Sequence, residues 1–177
     1  MNINKKIYGI VVGAVIAALY VALTYSQEAL LPGTTSMAVQ FRLSEALTML
    51  CVFTPYAIPG VTVGCFLANI VSSGALPIDM LMGTMASFLA AVCMYRTRNI
   101  TFKGMPLVSA LMPAIFNGII IGAEIEIFFI EGPFNFVSFL TQASLVALGE
   151  LGVCFTAGLL LIRTITNKNL IKYLNSI

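Results

Sequence analysis

The sequence contains no histidine, and charged residues make up only 9% of its 177 residues. The absence of histidine excludes a His-based zinc site, a Ser-His-Asp triad and a haem iron held by histidine. No GxxxxGK[ST] motif is present, so the chain carries no P-loop ATPase of its own. Soluble domains carry about 25% charged residues. The chain therefore lacks the polar surface of a soluble enzyme, a nucleic-acid binder or a disordered protein.

Hydrophobic residues are abundant instead, at 59% of the chain. Lipid is the natural solvent for such a composition, which predicts an all-α membrane protein with a single integral membrane domain over residues 1–177. The cysteines are scattered in apolar stretches without CxxC spacing, which is typical of small core residues rather than of a disulfide or metal role. They are Cys51, Cys65, Cys93 and Cys154. No metal site, catalytic residue or bound cofactor is expected in this chain.

Hydropathy and helix-breaking residues predict six transmembrane helices. They lie near residues 7–25, 41–54, 56–73, 78–95, 105–130 and 137–162. The segment 26–40 contains Pro, Gly and hydroxyl residues and is predicted to be a loop that covers the bundle. The first run resembles a secretory signal peptide, but it is longer than a typical apolar core and has no clear cleavage site.

The basic residues predict the orientation of the chain. All of them except Arg42 fall at the N-terminus, in the 96–103 loop or in the C-terminal tail. The positive-inside rule assigns these three regions to the cytoplasm, so the number of crossings between them is even. Six helices with both termini cytoplasmic satisfy charge and length together, as expected of a multi-pass protein of the cell membrane.

Polar residues within the predicted helices are candidates for a binding site, because a charge at membrane depth is costly unless partnered. Glu45, Glu124 and Glu150 outnumber Arg42, so these acids either hold protons or await a cationic ligand. We expect a cavity in the outer half of the bundle, beneath the 26–40 loop, that binds a small molecule. The candidate site residues are Arg42, Glu45, Asn69, Asn117, Glu124 and Glu150. Four further acids, Glu28, Asp79, Glu126 and Glu131, are predicted to be interfacial.

Small residues at four-residue spacing predict close helix contacts. The Gly60-Gly64 and Gly118-Gly122 pairs are typical of packing between helices of one chain. The stripe of Ala14, Ala18 and Ala22 continues over three turns and is the best candidate for contact with another protein.

Several motifs resemble the QueT family of queuosine-precursor transporters. They are VQFRLSEALT at residues 39–48, FTPYAIPG at 53–60, GCFLANI at 64–70, FNGIIIGAE at 116–124 and ALGELG at 147–152. The resemblance covers residues 10–162. It implies the substrate-binding S component of an energy-coupling factor (ECF) transporter, which associates with a transmembrane coupling protein (the T component) and two cytoplasmic ATPases that use ATP.

The resemblance also implies roles for particular residues. Ala14, Ala18 and Ala22 would meet the coupling protein. The implied substrate is 7-aminomethyl-7-deazaguanine, whose guanine-like edge and ammonium group suit two carboxylates. Glu45 and Glu150 would supply these, with Asn69 and Asn117 on the ring edge and Arg42 orienting Glu45. Which glutamate takes which end stays open, as does the preference between amine, nitrile and free queuine base.

Two other functions remain in competition. An S component for another vitamin or nucleobase would share the fold and the alanine stripe but differ in its pocket. A proton-coupled secondary transporter would use Glu124 and Glu150 as proton carriers, although it would also need polar residues along the whole path. A membrane enzyme is disfavoured, because no nucleophile–base pair is apparent.

Overall fold

The computed structural model describes residues 3–34, 41–71 and 77–167. Within these ranges every regular element is helical, as the composition predicts, and six helical rods follow one another along the chain. The elements are α1 (Ile3–Leu30), a 3₁₀ helix (Leu43–Val52), α2 (Ala57–Val71), α3 (Pro77–Thr97), α4 (Leu107–Glu124), a π-helical turn (Ile125–Phe129), α5 (Phe136–Val153), a second π turn (Cys154–Gly158) and α6 (Leu159–Asn167). The last three form one continuous rod.

Four of the rods are long and apolar enough to cross a membrane. They are Lys5–Leu30, Pro77–Thr97, Leu107–Phe129 and Phe136–Asn167. The other two, Leu43–Val52 and Ala57–Ile70, are shorter. At rises of about 2.0 Å per residue for a 3₁₀ helix and about 1.5 Å for an α-helix, each covers about 20 Å of a hydrocarbon core about 30 Å thick. The six crossings and the cytoplasmic termini remain predictions.

Helix α1 is longer than the predicted span 7–25. It continues to Leu30, so the predicted covering loop 26–40 begins five residues too early, and its residues 35–40 lie outside the described part of the chain. The helix stops where Pro32 cannot continue it and Gly33 adopts a left-handed conformation with φ 86°. The extra turn is held by Gln27, whose side chain donates to the Phe41 carbonyl and accepts from the Leu43 N–H.

Two prolines and one asparagine account for where α2, α3 and α5 begin. Pro59, predicted as part of a break, instead lies in the first turn of α2, where a missing N–H removes no helical hydrogen bond. Pro77 starts α3 in the same way. The Asn135 side chain caps α5 by accepting from the N–H groups of Val137 and Ser138 at 2.9 and 3.3 Å.

The 3₁₀ helix lies at the centre of the bundle. It contacts all six α-helices, and residues 44–51 are all buried. Around it, each α-helix from α1 to α5 packs against its neighbour in sequence. A 3₁₀ helix of ten residues is unusual, because runs longer than three or four residues are uncommon. Here the surrounding helices bury every face of it, so packing rather than propensity determines its form.

Glycines allow the closest helix contacts. A Cβ on Gly60 would lie 2.8 Å from the Gly13 carbonyl oxygen, and one on Gly64 would lie 2.7 Å from the Tyr20 Cβ. On the other side of the bundle, a Cβ on Gly122 would lie 2.7 Å from the Cα of Ala143. Both glycine pairs therefore pack within the chain, as their spacing predicts.

The alanine stripe of α1 faces outward. Ala14, Ala18 and Ala22 are exposed, whereas Tyr20 on the opposite side of the helix is completely buried. Helix α1 therefore presents a face of small residues to its surroundings and packs its opposite face against the bundle.

Candidate functional site

The first part of the candidate site surrounds Glu45 near the start of the 3₁₀ helix. Glu45 is 2% exposed, and its Oε1 accepts a hydrogen bond from the Tyr20 hydroxyl of α1. The Ser87 hydroxyl of α3 lies 3.5 Å from the same oxygen. The other carboxylate oxygen, Oε2, has no hydrogen-bond partner among the described residues. One oxygen of Glu45 is thus held by hydroxyl groups, and the other can accept a donor from a ligand.

A chain of hydrogen bonds joins Arg42 to this carboxylate. Arg42 Nη1 donates to Asn69 Oδ1 at 3.0 Å. Asn69 Nδ2 lies 3.3 Å from the Asp79 carbonyl oxygen and 3.7 Å from Cys65 Sγ. The Ser87 hydroxyl lies 3.3 Å from the same sulfur atom. The predicted site residues Arg42, Glu45 and Asn69 are therefore brought together between the 3₁₀ helix, α2 and α3.

Two predicted site residues form the second part of the site. Asn117 on α4 donates from Nδ2 to Oε1 of Glu150 on α5 at 3.0 Å. Both side chains are buried, at 4% and 2% exposure, and Oε2 of Glu150 has no partner in the described ranges. The close approach of α4 and α5 at Gly118 places the amide within reach of the carboxylate, since a Cβ at Gly118 would lie 3.0 Å from the Ala143 carbonyl oxygen.

Electrostatic attraction to Arg42 links the two parts. Glu150 interacts with both Glu45 and Arg42, and Glu124 also interacts with Arg42. Glu124 is buried near the end of α4 and interacts with the Asp79 side chain. Three buried carboxyl groups therefore interact with one guanidinium, in the surplus of acid that the sequence predicts.

The unpartnered oxygens are the chemically notable feature of this site. Glu45 Oε2, Glu124 Oε1 and Glu150 Oε2 are all buried without a hydrogen-bond partner among the described residues. A buried polar group left unsatisfied costs about 1–3 kcal/mol, and more if it is charged. A ligand with several N–H donors would satisfy these atoms.

Sequence reasoning missed three residues of α1 that hold the 3₁₀ helix. Tyr20 bonds Glu45, Thr24 donates to the Ser44 hydroxyl at 2.8 Å, and Gln27 accepts from the Leu43 N–H at 2.8 Å. The signal was available, because polar groups at positions i, i+4 and i+7 of an apolar helix share one face.

One acid differs from its predicted placement. Glu126, predicted to be interfacial, is 3% exposed. The π turn that follows α4 carries it, and its Oε1 accepts from the Asn135 N–H at 2.8 Å, immediately before α5. Glu131, by contrast, is exposed, while Glu28 and Asp79 are half-buried. In the described part of the chain, no group of three or more Cys, Asp or Glu side chains is arranged to hold a metal ion.

The apolar rods define a multi-pass membrane protein, and a cluster of polar side chains is buried among its helices. A family model described as QueT transporter matches residues 10–167, and the chain belongs to this family. The family is described as one of transporters.

A curated relative supports the assignment. The queuosine precursor transporter QueT of Lactococcus lactis subsp. cremoris (strain MG1363) is 39% identical over 72 residues, which cover 39% of this chain. The matched region spans 40% of the length of that relative. No solved structure matches the chain.

Proposed function

We propose that this chain is the substrate-binding S component of an ECF transporter and that it captures 7-aminomethyl-7-deazaguanine outside the cell for ATP-driven uptake. The name of the relative, queuosine precursor transporter, supports this substrate class. The observation that carries the proposal is the group of three buried carboxyls that interact electrostatically with Arg42, each with an oxygen that has no partner among the described residues.

The chemistry of the substrate complements this group. A guanine-like edge offers adjacent N–H donors that a carboxylate accepts, and its carbonyl oxygen needs a donor such as an amide. The protonated aminomethyl group supplies a positive charge that offsets the surplus of acid. Glu45 and Glu150 provide the carboxylates, and Asn69 and Asn117 lie beside them. Arg42 and Glu124 complete the site by setting its charge.

Energy for uptake comes from partners in this proposal. The sequence has no P-loop, so a T component and two cytoplasmic ATPases supply ATP hydrolysis. The exposed face of Ala14, Ala18 and Ala22 supports a contact with the T component, because small residues let two helices approach closely in a membrane. Six crossings with both termini in the cytoplasm direct the polar cluster toward the outside.

Calorimetry on the purified full chain tests the substrate. We expect binding of 7-aminomethyl-7-deazaguanine and no binding of thiamine or riboflavin. Glu150→Gln should weaken binding by about 10-fold or more, because it replaces one acceptor oxygen of the side chain that binds the ligand with an NH₂ group. Glu131→Gln is the matched control, since Glu131 is exposed, and it should bind like the unmodified chain. If the unmodified chain does not bind the amine, the proposed substrate is wrong.

A further inference from the structure

The two central carboxylates differ in how many acceptor positions they leave open. Each carboxylate oxygen has two lone pairs. On Glu45, the Tyr20 hydroxyl bonds Oε1 and the Ser87 hydroxyl lies 3.5 Å from that atom, so hydroxyl groups cover this oxygen from two sides. The oxygen of Glu45 that remains without a partner among the described residues is therefore Oε2. Glu45 is a carboxylate with one unpartnered oxygen.

Glu150 is less enclosed by donors. Among the described residues, its Oε1 accepts one hydrogen bond, from Asn117, and its Oε2 accepts none. One lone pair on Oε1 and both on Oε2 therefore remain for a ligand. The Asn117 amide also has a second N–H, because only one of its two donors is used by Glu150. This pair presents two acceptor atoms and one donor side by side.

We propose that Glu150 and Asn117 bind the guanine-like edge of the substrate, whereas Glu45 binds its ammonium group. This assignment rests on the proposed function and states which carboxylate binds which end of the ligand. The guanine-like edge has two parallel N–H donors beside a carbonyl oxygen, which matches a carboxylate with an unused lone pair on each oxygen next to an amide N–H. An ammonium group is a compact charge that one oxygen can bind.

The positions of the neighbouring groups support the same division. The Tyr20 and Ser87 hydroxyls both donate toward Oε1 of Glu45 and leave Oε2 as its one oxygen without a partner among the described residues. One open acceptor is suited to a compact ammonium group. Glu150 accepts a hydrogen bond from the neutral Asn117 amide. This pair is suited to hydrogen-bonding a neutral ring edge.

Calorimetry with two ligands and two variants tests this division. The ligands are 7-aminomethyl-7-deazaguanine and its uncharged 7-cyano analogue, which share the ring edge and differ in the charged group. We expect Glu45→Gln to weaken amine binding by about 10- to 150-fold and nitrile binding by less than about 3-fold. Glu150→Gln should weaken the binding of both ligands by a similar factor of about 10 or more. Glu131→Gln serves as the control for the loss of a carboxylate charge.

A second variant keeps the test decisive if Glu45→Gln does not fold, since Glu45 lies in the central helix. Asn117 lies outside that helix. Asn117→Ala should weaken the binding of the amine and of the nitrile by the same factor, so that the ratio of the two affinities stays unchanged. A changed ratio in Asn117→Ala, or selective loss of the amine in Glu150→Gln, would overturn the division while leaving the proposed function intact. Failure of the unmodified chain to bind either ligand would instead overturn the proposed function.

Discussion

The hydroxyl of Tyr20 can be removed without changing the packing around it. Tyr20 is completely buried on α1, and its O–H donates to Glu45 Oε1. Tyr20→Phe keeps the ring in the core and removes only this donor. Ser87, at 3.5 Å, then remains as a weak partner for that oxygen. We therefore expect the substitution to destabilise the folded protein by leaving a buried carboxylate less well satisfied.

The size of the effect follows from the kind of bond that is lost. Leaving a buried acceptor without its donor costs about 1–3 kcal/mol. For a chain of this length, each 1 kcal/mol shifts the melting temperature by about 2–4 °C. The expected decrease in melting temperature for Tyr20→Phe is therefore about 2–12 °C.

Thermal unfolding of the purified protein in detergent measures this decrease. Tyr25→Phe is the matched control, because Tyr25 lies on the same helix and is 50% exposed. The control should melt at the temperature of the unmodified chain. If Tyr20→Phe melts at the same temperature as Tyr25→Phe, the hydroxyl does not stabilise the folded state and our account of how Glu45 is held is wrong.

Three further predictions concern the helices around the site. Gly64→Ala should destabilise the fold by about 1–3 kcal/mol in detergent unfolding, because its Cβ would lie 2.7 Å from the Tyr20 Cβ, whereas Val63→Ala on the exposed side should have little effect. Ala18→Leu should leave ligand binding by the isolated chain unchanged but stop uptake by cells that hold the ECF partners, and normal uptake would contradict the coupling role. Asn135→Ala should cost about 0.5–2 kcal/mol by removing the cap of α5, and faster amide hydrogen exchange in its first turn would report the loss.

The helical architecture could be predicted because it depends on composition and on local breakers. Lipid requires that backbone groups be satisfied within a helix, so long apolar runs have few alternatives. The end of α1 was misplaced because Gln27 bonds residues beyond the turn that follows it, Phe41 and Leu43. Such a contact depends on the folded chain and has no local signature.

The form of the second helix could not be predicted. The α and 3₁₀ conformations have similar backbone angles, and residues 43–52 contain no residue that selects between them. The surrounding helices decide the outcome, because they pack against every side of this segment.

The polar residues of the site could be identified individually, but their pairing could not. Rarity of charge in apolar segments indicates Glu45, Glu150 and Arg42 without any structure. Their partners depend on how helices distant in sequence are rotated, as in the Asn117–Glu150 bond. Tyr20 was missed because its ring is compatible with an apolar helix, and only the repeated polar spacing with Thr24 and Gln27 indicates a shared face.

The burial of Glu126 depended on a feature that spacing cannot show. Glu126 lies in the π turn Ile125–Phe129, near the end of the predicted span 105–130, where a carboxylate is expected to be interfacial. The Asn135 N–H that it accepts belongs to the following loop.

The central position of the 3₁₀ helix bears on how the substrate range of this family can diverge. A change at Glu45 disturbs a segment on which all the α-helices pack, so variation there is expected to be limited by folding. Asn117 and Glu150 lie on α4 and α5 and can be exchanged with less disturbance of that segment. Relatives that accept a different ring should therefore differ at these two positions and retain Glu45 in the central 3₁₀ helix.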